Sequence, residues 1–139
     1  MSLYYLAHAY RHKDRVVELD RISKATETVG SLIRYGIKNK IEIKVFAPIT
    51  HNDPVYKTSD FTPEEMKYVF KTFDFHVLGF ADAMIILTLP GWKESVGVTG
   101  EIEFCKANNK PVHYLDFEDR NNDEKLKIIF GDLLDGGGV

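Results

Sequence analysis

Two acids and a turn of small residues carry most of the chemistry open to this chain. The segment Ser95–Glu101 reads SVGVTGE and places small residues where a loop would turn into a helix. Unpaired N–H groups at such a helix start suit an anion such as phosphate. The spacing matches neither GxGxxG nor GxxxxGK with a following Ser or Thr, so it names no nucleotide motif by itself. Glu101 is expected in the first turn of that helix, beside the same pocket, where it also reads as an acid complementing the dipole. Asp74 stands among Phe73, Phe75 and Val77. It reads either as an outward surface acid or as a second carboxylate of a site. Two carboxylates converging on one pocket would suit glycosyl transfer, one as nucleophile and the other as proton donor or acceptor.

The other polar candidates are less specific. His8 and His12 are four residues apart but bracket a strand-to-helix loop, so the helical spacing of metal ligands does not apply. With one Cys and neither HExxH nor CxxC, no metal site and no cofactor are expected. His51 falls in a loop near the expected pocket and is a candidate ligand contact. Trp92, the only tryptophan, offers base stacking or a lid in competition with loop packing. Cys105, near Ile102 and Phe104, reads as a packing residue.

The elements that must position these groups follow from the apolar period. Leu3–Ala7 is a short apolar strand. Val16, Leu19, Ile22, Ala25, Val29, Leu32 and Ile33 recur at helical steps over 13–35, with Gly36 and Asn39 as stop signals. Glu42–Phe46 is a second strand, and the polar, Pro54-containing stretch Ile49–Ser59 is expected to be a loop. Thr62-Pro63-Glu64-Glu65 opens a helix that runs to about Gly79. Ala83–Leu89 reads as a strand covered on both faces. Pro90–Gly97 is a loop, Val98–Asn108 a helix, Pro111–Leu115 a strand and Asp123–Leu134 a last helix, before a loose end at Gly136–Gly138. Strand and helix therefore alternate four times, which implies an α/β fold: a doubly wound parallel sheet in three layers, flavodoxin- or Rossmann-like. Ligands of such sheets sit beyond the carboxyl ends of the strands, which selects Ala7–Lys13, Ala47–Asp53 and Leu89–Glu101.

Composition bounds the rest. At 139 residues and 44% hydrophobic, with nine Phe and seven Tyr, the chain is long and apolar enough for one domain with a packed core, 1–139. A net charge of -3 and a pI near 5.9 disfavour binding of polymeric nucleic acid by charge. No apolar run approaches the ~20 residues of a membrane span, and the start does not resemble a signal peptide. A lone thiol suits a reducing compartment, so the expected location is cytoplasmic.

The short motifs, taken in order, carry a resemblance. Tyr5-Leu-Ala-His-Ala-Tyr-Arg11, Phe46-Ala-Pro-Ile49, Ala81-Asp82-Ala83, Ser95 with Glu101, and Lys110-Pro111-Val112 resemble the nucleoside 2-deoxyribosyltransferase-like superfamily over roughly residues 3–115. The resemblance implies that Glu101 is the nucleophile. It implies that Asp74, eight residues before Asp82 (82 − 74), is the acid/base, and that Tyr5 orients the nucleophile. Six residues before the nucleophile (101 − 95) stands Ser95, as in the 2'-deoxynucleoside 5'-phosphate N-hydrolases, where transferases acting on free nucleosides carry Asp. Ser95, Gly97, Val98 and Arg11 would then hold a phosphate. The Gly-rich first loop of those hydrolases is replaced by His8, Ala9 and Tyr10, which narrows and changes the pocket; the His51-Asn52-Asp53 segment and Trp92 also resemble the uncharacterised, often phage-borne relatives rather than either characterised branch.

The implied activity is cleavage of the N-glycosidic bond of a (deoxy)nucleoside 5'-monophosphate through a glycosyl-enzyme. The alternatives are a deoxyribosyltransferase exchanging bases on free nucleosides and a nucleotide-binding or sensor protein without turnover. The expected partner is a small nucleotide or nucleoside, with no membrane and no polymeric nucleic acid. The resemblance also implies a homodimer or larger homo-oligomer.

Overall fold

Strand–helix alternation in the sequence becomes a four-stranded, wholly parallel sheet in the computed structural model, which describes residues 3–135. The expected loose end at Gly136–Gly138 lies outside the described residues. The strands are β1 (Leu3–Ala7), β2 (Lys44–Phe46), β3 (Ala83–Leu87) and β4 (Val112–Leu115), in the order β2-β1-β3-β4. Tyr5 of β1 lies opposite Phe46 on one side and Met84 on the other. All five residues of β3 are buried, as a strand covered on both faces requires.

The pleat sorts the strand side chains into two apolar layers. Leu6, Ile85 and Leu87 face one layer with Ala25 and Leu32 of α1 (Arg15–Asn39) and Phe130 of α6 (Asp123–Asp135). Tyr5, Ala7, Met84 and Ile86 face the other, with Leu78 of α4 (Phe75–Phe80) and Val98 and Cys105 of α5 (Val96–Ala107). The result is the expected three-layer, doubly wound α/β domain of Rossmann or flavodoxin type. Cys105 is fully buried, and burial raises its thiol to about 11, consistent with packing rather than nucleophilic use. Among the described residues no helix is long and apolar enough to cross a membrane.

Four local expectations are corrected. First, α1 continues through Gly36 to Asn39 and ends on Lys40 in the left-handed region (φ 57°). Gly36 serves close packing there, since a Cβ would lie 3.0 Å from the Ile41 carbonyl oxygen. The start of α1 faces loops rather than the sheet, so Glu18 is buried while Val16 is 71% exposed. Second, Ile49–Ser59 is no loop: α2 (Pro48–Thr58) occupies it. Pro48 opens that helix at its first position, and the buried face is Asn52, Asp53 and Tyr56, polar enough to hide the apolar period.

Third, the helix after Thr62 is not uniform. A capping box between Thr62 and Glu65 starts α3 (Pro63–Val69) as expected. A π turn, Phe70–Asp74, then closes with the Phe75 N–H on the Phe70 carbonyl before α4 continues. Fourth, α5 begins at Val96, not Val98, because the Ser95 hydroxyl accepts the Val98 N–H at 3.2 Å and caps it. Glu101 therefore lies in the second turn, beyond the reach of a first-turn dipole role.

Several motif residues turn out to hold the frame. Asp82 accepts the Leu3 N–H at 2.7 Å and fixes the start of β1, while Lys110 donates to the Gly79 and Ala81 carbonyls at the end of α4.

Candidate active site

Because β1 pairs with β2 on one side and β3 on the other, the chain leaves β1 and β3 in divergent directions at their carboxyl ends. That switch point opens a cleft of about 1440 Å³. The loop after β1, the starts of α1 and α5, the α3 face with its π turn, and α2 line it. Of its three buried acids, Glu18 is paired with Arg15 and Lys57, whereas Asp74, at 1% exposure, and Glu101, at 5%, form no salt bridge among the described residues.

The charge of Asp74 acts on Glu101, and neither carboxylate forms a salt bridge with Lys or Arg among the described residues. Burial pushes Glu101 up to about 8; the Tyr5 phenol favours its ionised form, and the negative charge of Asp74 opposes it. Tyr5 is wholly buried against Glu101, but its hydroxyl closes no hydrogen bond of ordinary geometry and is left without a partner. Burial also raises Asp74, to about 6, held back by the Asn52 amide and by His51. Asn52 donates Nδ2–H to Asp74 Oδ1 at 2.9 Å, and its own Oδ1 lies 2.9 Å from His51 Nδ1. His51 in turn stacks on Phe73, with ring centres 5.7 Å apart. A chain His51–Asn52–Asp74 therefore orients the acid, provided the His51 proton sits on Nδ1, the tautomer that the Asn52 oxygen requires.

The cleft wall is held by two polar clamps. Arg15 grips both oxygens of Asp53 at 2.7 and 2.9 Å, and the Tyr10 hydroxyl donates to the same carboxylate. The Arg15 pair is the main cause that holds Asp53 below its usual range. Burial works to raise Glu18, but the His12 N–H, Arg15 and Lys57 outweigh it and leave it low. Arg21 makes the second clamp. It donates to the Tyr10, Arg11 and Pro90 carbonyls at 3.1, 3.3 and 3.0 Å, tying the loop after β1 to the loop after β3. Next to Pro90, Gly91 has φ 93°, and a Cβ there would lie 3.1 Å from the Arg21 guanidinium.

At the start of α5 the Val98 N–H is occupied by Ser95 Oγ, whereas the Val96 and Gly97 N–H groups find no acceptor among the described residues. Of the residues singled out from sequence, Glu101, Asp74, His8, Arg11, Ser95, Gly97 and Val98 line the cleft, and Tyr5 lies behind Glu101. His51 and Trp92 do not line it. His51 borders a separate cavity of about 280 Å³ and reaches the cleft only through Asn52. Trp92 packs on Tyr114, with ring centres 5.4 Å apart. His8 is buried, which lowers it to about 4, and its ring Nδ1 lies 2.7 Å from the Ala9 carbonyl oxygen. That contact puts the proton on Nδ1 and leaves Nε2 an acceptor without a partner, so His8 suits a ligand hydroxyl or N–H rather than a phosphate oxygen.

Asn52 and Asp53 fall in the segment 47–53 that the strand-end rule selects, but the sequence assigns them no role: only the helical form of 48–58 puts them, with Tyr56, on one face. Arg15 and Arg21 carry no sequence signal that sets them apart from other charges on α1. Among the described residues, no three His, Cys, Asp or Glu side chains gather as metal ligands would.

Residues 1–116 match the family model described as a domain of unknown function, DUF1937, and the chain belongs to that family. No curated protein matches the chain.

Proposed function

We propose that the protein is an N-glycosidase that cleaves the base from a (deoxy)nucleoside 5'-phosphate. The observation that carries this reading is the pair Glu101 and Asp74, buried on one cleft, raised in pKa and without a neutralising cation. Buried, coupled carboxylates are costly to maintain and recur where acid and nucleophile must share one proton.

In the proposed first step the one proton of the coupled pair sits on Asp74, the minority arrangement because Glu101 is the weaker acid, and the ionised Glu101 carboxylate attacks C1' of the sugar. The C1'–N bond breaks as its electron pair goes to the base nitrogen, and Asp74 supplies the proton that leaves with the base. In the second step Asp74, now ionised, takes a proton from water. The water oxygen bonds to C1', the ester to Glu101 breaks, and sugar phosphate is released with both side chains restored. The Tyr5 hydroxyl supports the ionised form of Glu101. Asn52 keeps an Asp74 oxygen aimed and modulates how readily it gives up its proton. The Val96 and Gly97 N–H groups, the Ser95 hydroxyl and Arg11 supply donors for the phosphate. The unpartnered Nε2 of His8 favours a ligand that presents a hydroxyl or N–H to the cleft.

The test is release of free base from a panel of ribo- and deoxyribonucleotides, followed by chromatography. Glu101→Gln should abolish it, and Asp74→Asn should slow it by about 10²–10⁴-fold. Release that persists in Glu101→Gln would remove the glycosyl-enzyme. Exchange of bases between free nucleosides, faster than hydrolysis, would instead identify a transferase. Tight ligand binding without product would identify a binding protein.

A further inference from the structure

The cleft holds more cationic charge than one phosphate needs. The chain is acidic overall, at -3, yet seven of its 18 Lys and Arg residues line this one cleft. Three of the seven are committed: Arg15 to Asp53, Arg21 to three carbonyls, and Lys57 to Glu18 at 3.5 Å. The other four, Arg11, Lys13, Lys67 and Lys71, are exposed and make no ion pair among the described residues. Against them the rim sets only Glu64 and Glu94.

Their placement is directional. Lys67 and Lys71 lie seven and three residues before Asp74, on the face of α3 and the π turn that lines the cleft. Between them Phe70 touches the start of α5, since a Cβ on Gly97 would lie 3.7 Å from its ring. Arg11 and Lys13 come from the loop after β1, which lines the same cleft. A monophosphate held at the start of α5 would be satisfied by the Val96 and Gly97 N–H groups, Ser95 and Arg11. Lys13, Lys67 and Lys71 would then have nothing to bind. A phosphate chain gives them partners: each added phosphate brings charge that water-exposed ammonium groups attract at short range.

We infer that the cleft mouth is a phosphate-chain subsite, and that the ligand is a nucleotide carrying a diphosphate or triphosphate rather than a single phosphate. The nucleotide part rests on the glycosidase reading; the chain subsite does not.

Calorimetry with inorganic phosphate and inorganic tripolyphosphate on the full chain tests the subsite without catalysis. Tripolyphosphate should bind about tenfold tighter or more. The preference should shrink to about threefold or less in the Lys67→Ala/Lys71→Ala double variant, and it should weaken with salt. Both lysines are exposed, so a thermal melt of the variant should match the parent. Equal affinity for the two anions, or a preference unchanged by the double substitution, would overturn the subsite. Competition with mono-, di- and triphosphates of one nucleoside completes the test. Affinity that rises with phosphate count supports the ligand class, and a best fit for the monophosphate overturns it. Tripolyphosphate binding with the expected lysine dependence, but no base released from any nucleotide, would keep the subsite and reject the glycosidase.

Discussion

The Asn52 side chain donates to Asp74 Oδ1 at 2.9 Å and so links α2 to the π turn. Both groups are nearly wholly buried, at 3% and 1% exposure, so water does not substitute for the contact. The bond favours the ionised form of Asp74, opposing the burial that raises it. Replacing Asn52 by Leu should therefore raise the Asp74 pKa above about 6. Carbon-detected NMR titration of the Asp74 carboxyl reads this directly. An unmoved titration in a folded variant would show that Asn52 does not position the acid.

The pair should also shape the pH profile. Activity needs one proton shared between the two carboxyls, and they titrate near 6 and 8 as a coupled unit. We expect kcat/KM for base release to be bell-shaped, with its maximum near pH 7 and apparent limbs near those values. Asp74→Asn should lower kcat by about 10²–10⁴-fold, the usual contribution of a positioned acid. Asn52→Leu should move the acidic limb upward and narrow the bell. A flat profile between pH 5 and 9 would contradict the shared proton.

Stability should follow the opposite course from that of salt-bridged acids. The folded pKa of Glu101, about 8, lies above that of an unfolded Glu. In between, the native state holds a proton that the unfolded chain has lost, so stability falls as pH rises. The contribution is complete below about pH 4 and gone once the pH has risen through about 8. Melting at pH 5 and pH 8 should show a lower Tm at pH 8, and Glu101→Gln should remove most of that difference. A Tm that climbs over this window in the parent would exclude a protonated, buried Glu101.

Asp53 takes donors from both Tyr10 and Arg15 inside the cleft wall. Asp53→Ala leaves the buried Tyr10 hydroxyl unsatisfied and frees the guanidinium, at a cost of about 2 kcal/mol, discounted because Arg15 is 39% exposed. A double-mutant cycle with Tyr10→Phe should show coupling of about 0.5 kcal/mol or more by chemical denaturation. Strict additivity would mean that the clamp holds nothing.

Gly91→Ala should cost about 1–2 kcal/mol, because a left-handed conformation at φ 93° disfavours any Cβ. The new methyl would also press on Arg21 at 3.1 Å and disturb the tie between the two cleft loops. The ligand KM should then rise while the pH limbs stay in place. A shift of the limbs instead would link the Gly91 turn to the carboxylates themselves.

Much of this protein could be read locally. The apolar run Ala83–Leu89, of which β3 takes Ala83–Leu87, the alternation of period 2 and 3.6, and the Thr62–Glu65 helix start are short-range patterns that the fold carries near their sequence positions. Residue type alone left Glu101 and Asp74 open to ordinary helix-start and surface readings, and only the resemblance joined them as an acidic pair. The tertiary structure decided what depends on contacts between distant segments. Helix α2 was invisible because its buried face is Asn52, Asp53 and Tyr56, whose partners are Asp74, Arg15 and Tyr10 from other elements. The π turn that buries Asp74 leaves no apolar signature, since it inserts one residue into an otherwise helical pattern. Removing His51 and Trp92 from the cleft, and adding Arg21 to its frame, likewise required knowing which loops meet. Hydrophobic period is a one-dimensional signal and marks elements that bury apolar faces. A polar site is built from hydrogen bonds across the sheet edge, and those are set only when the strands have found their order.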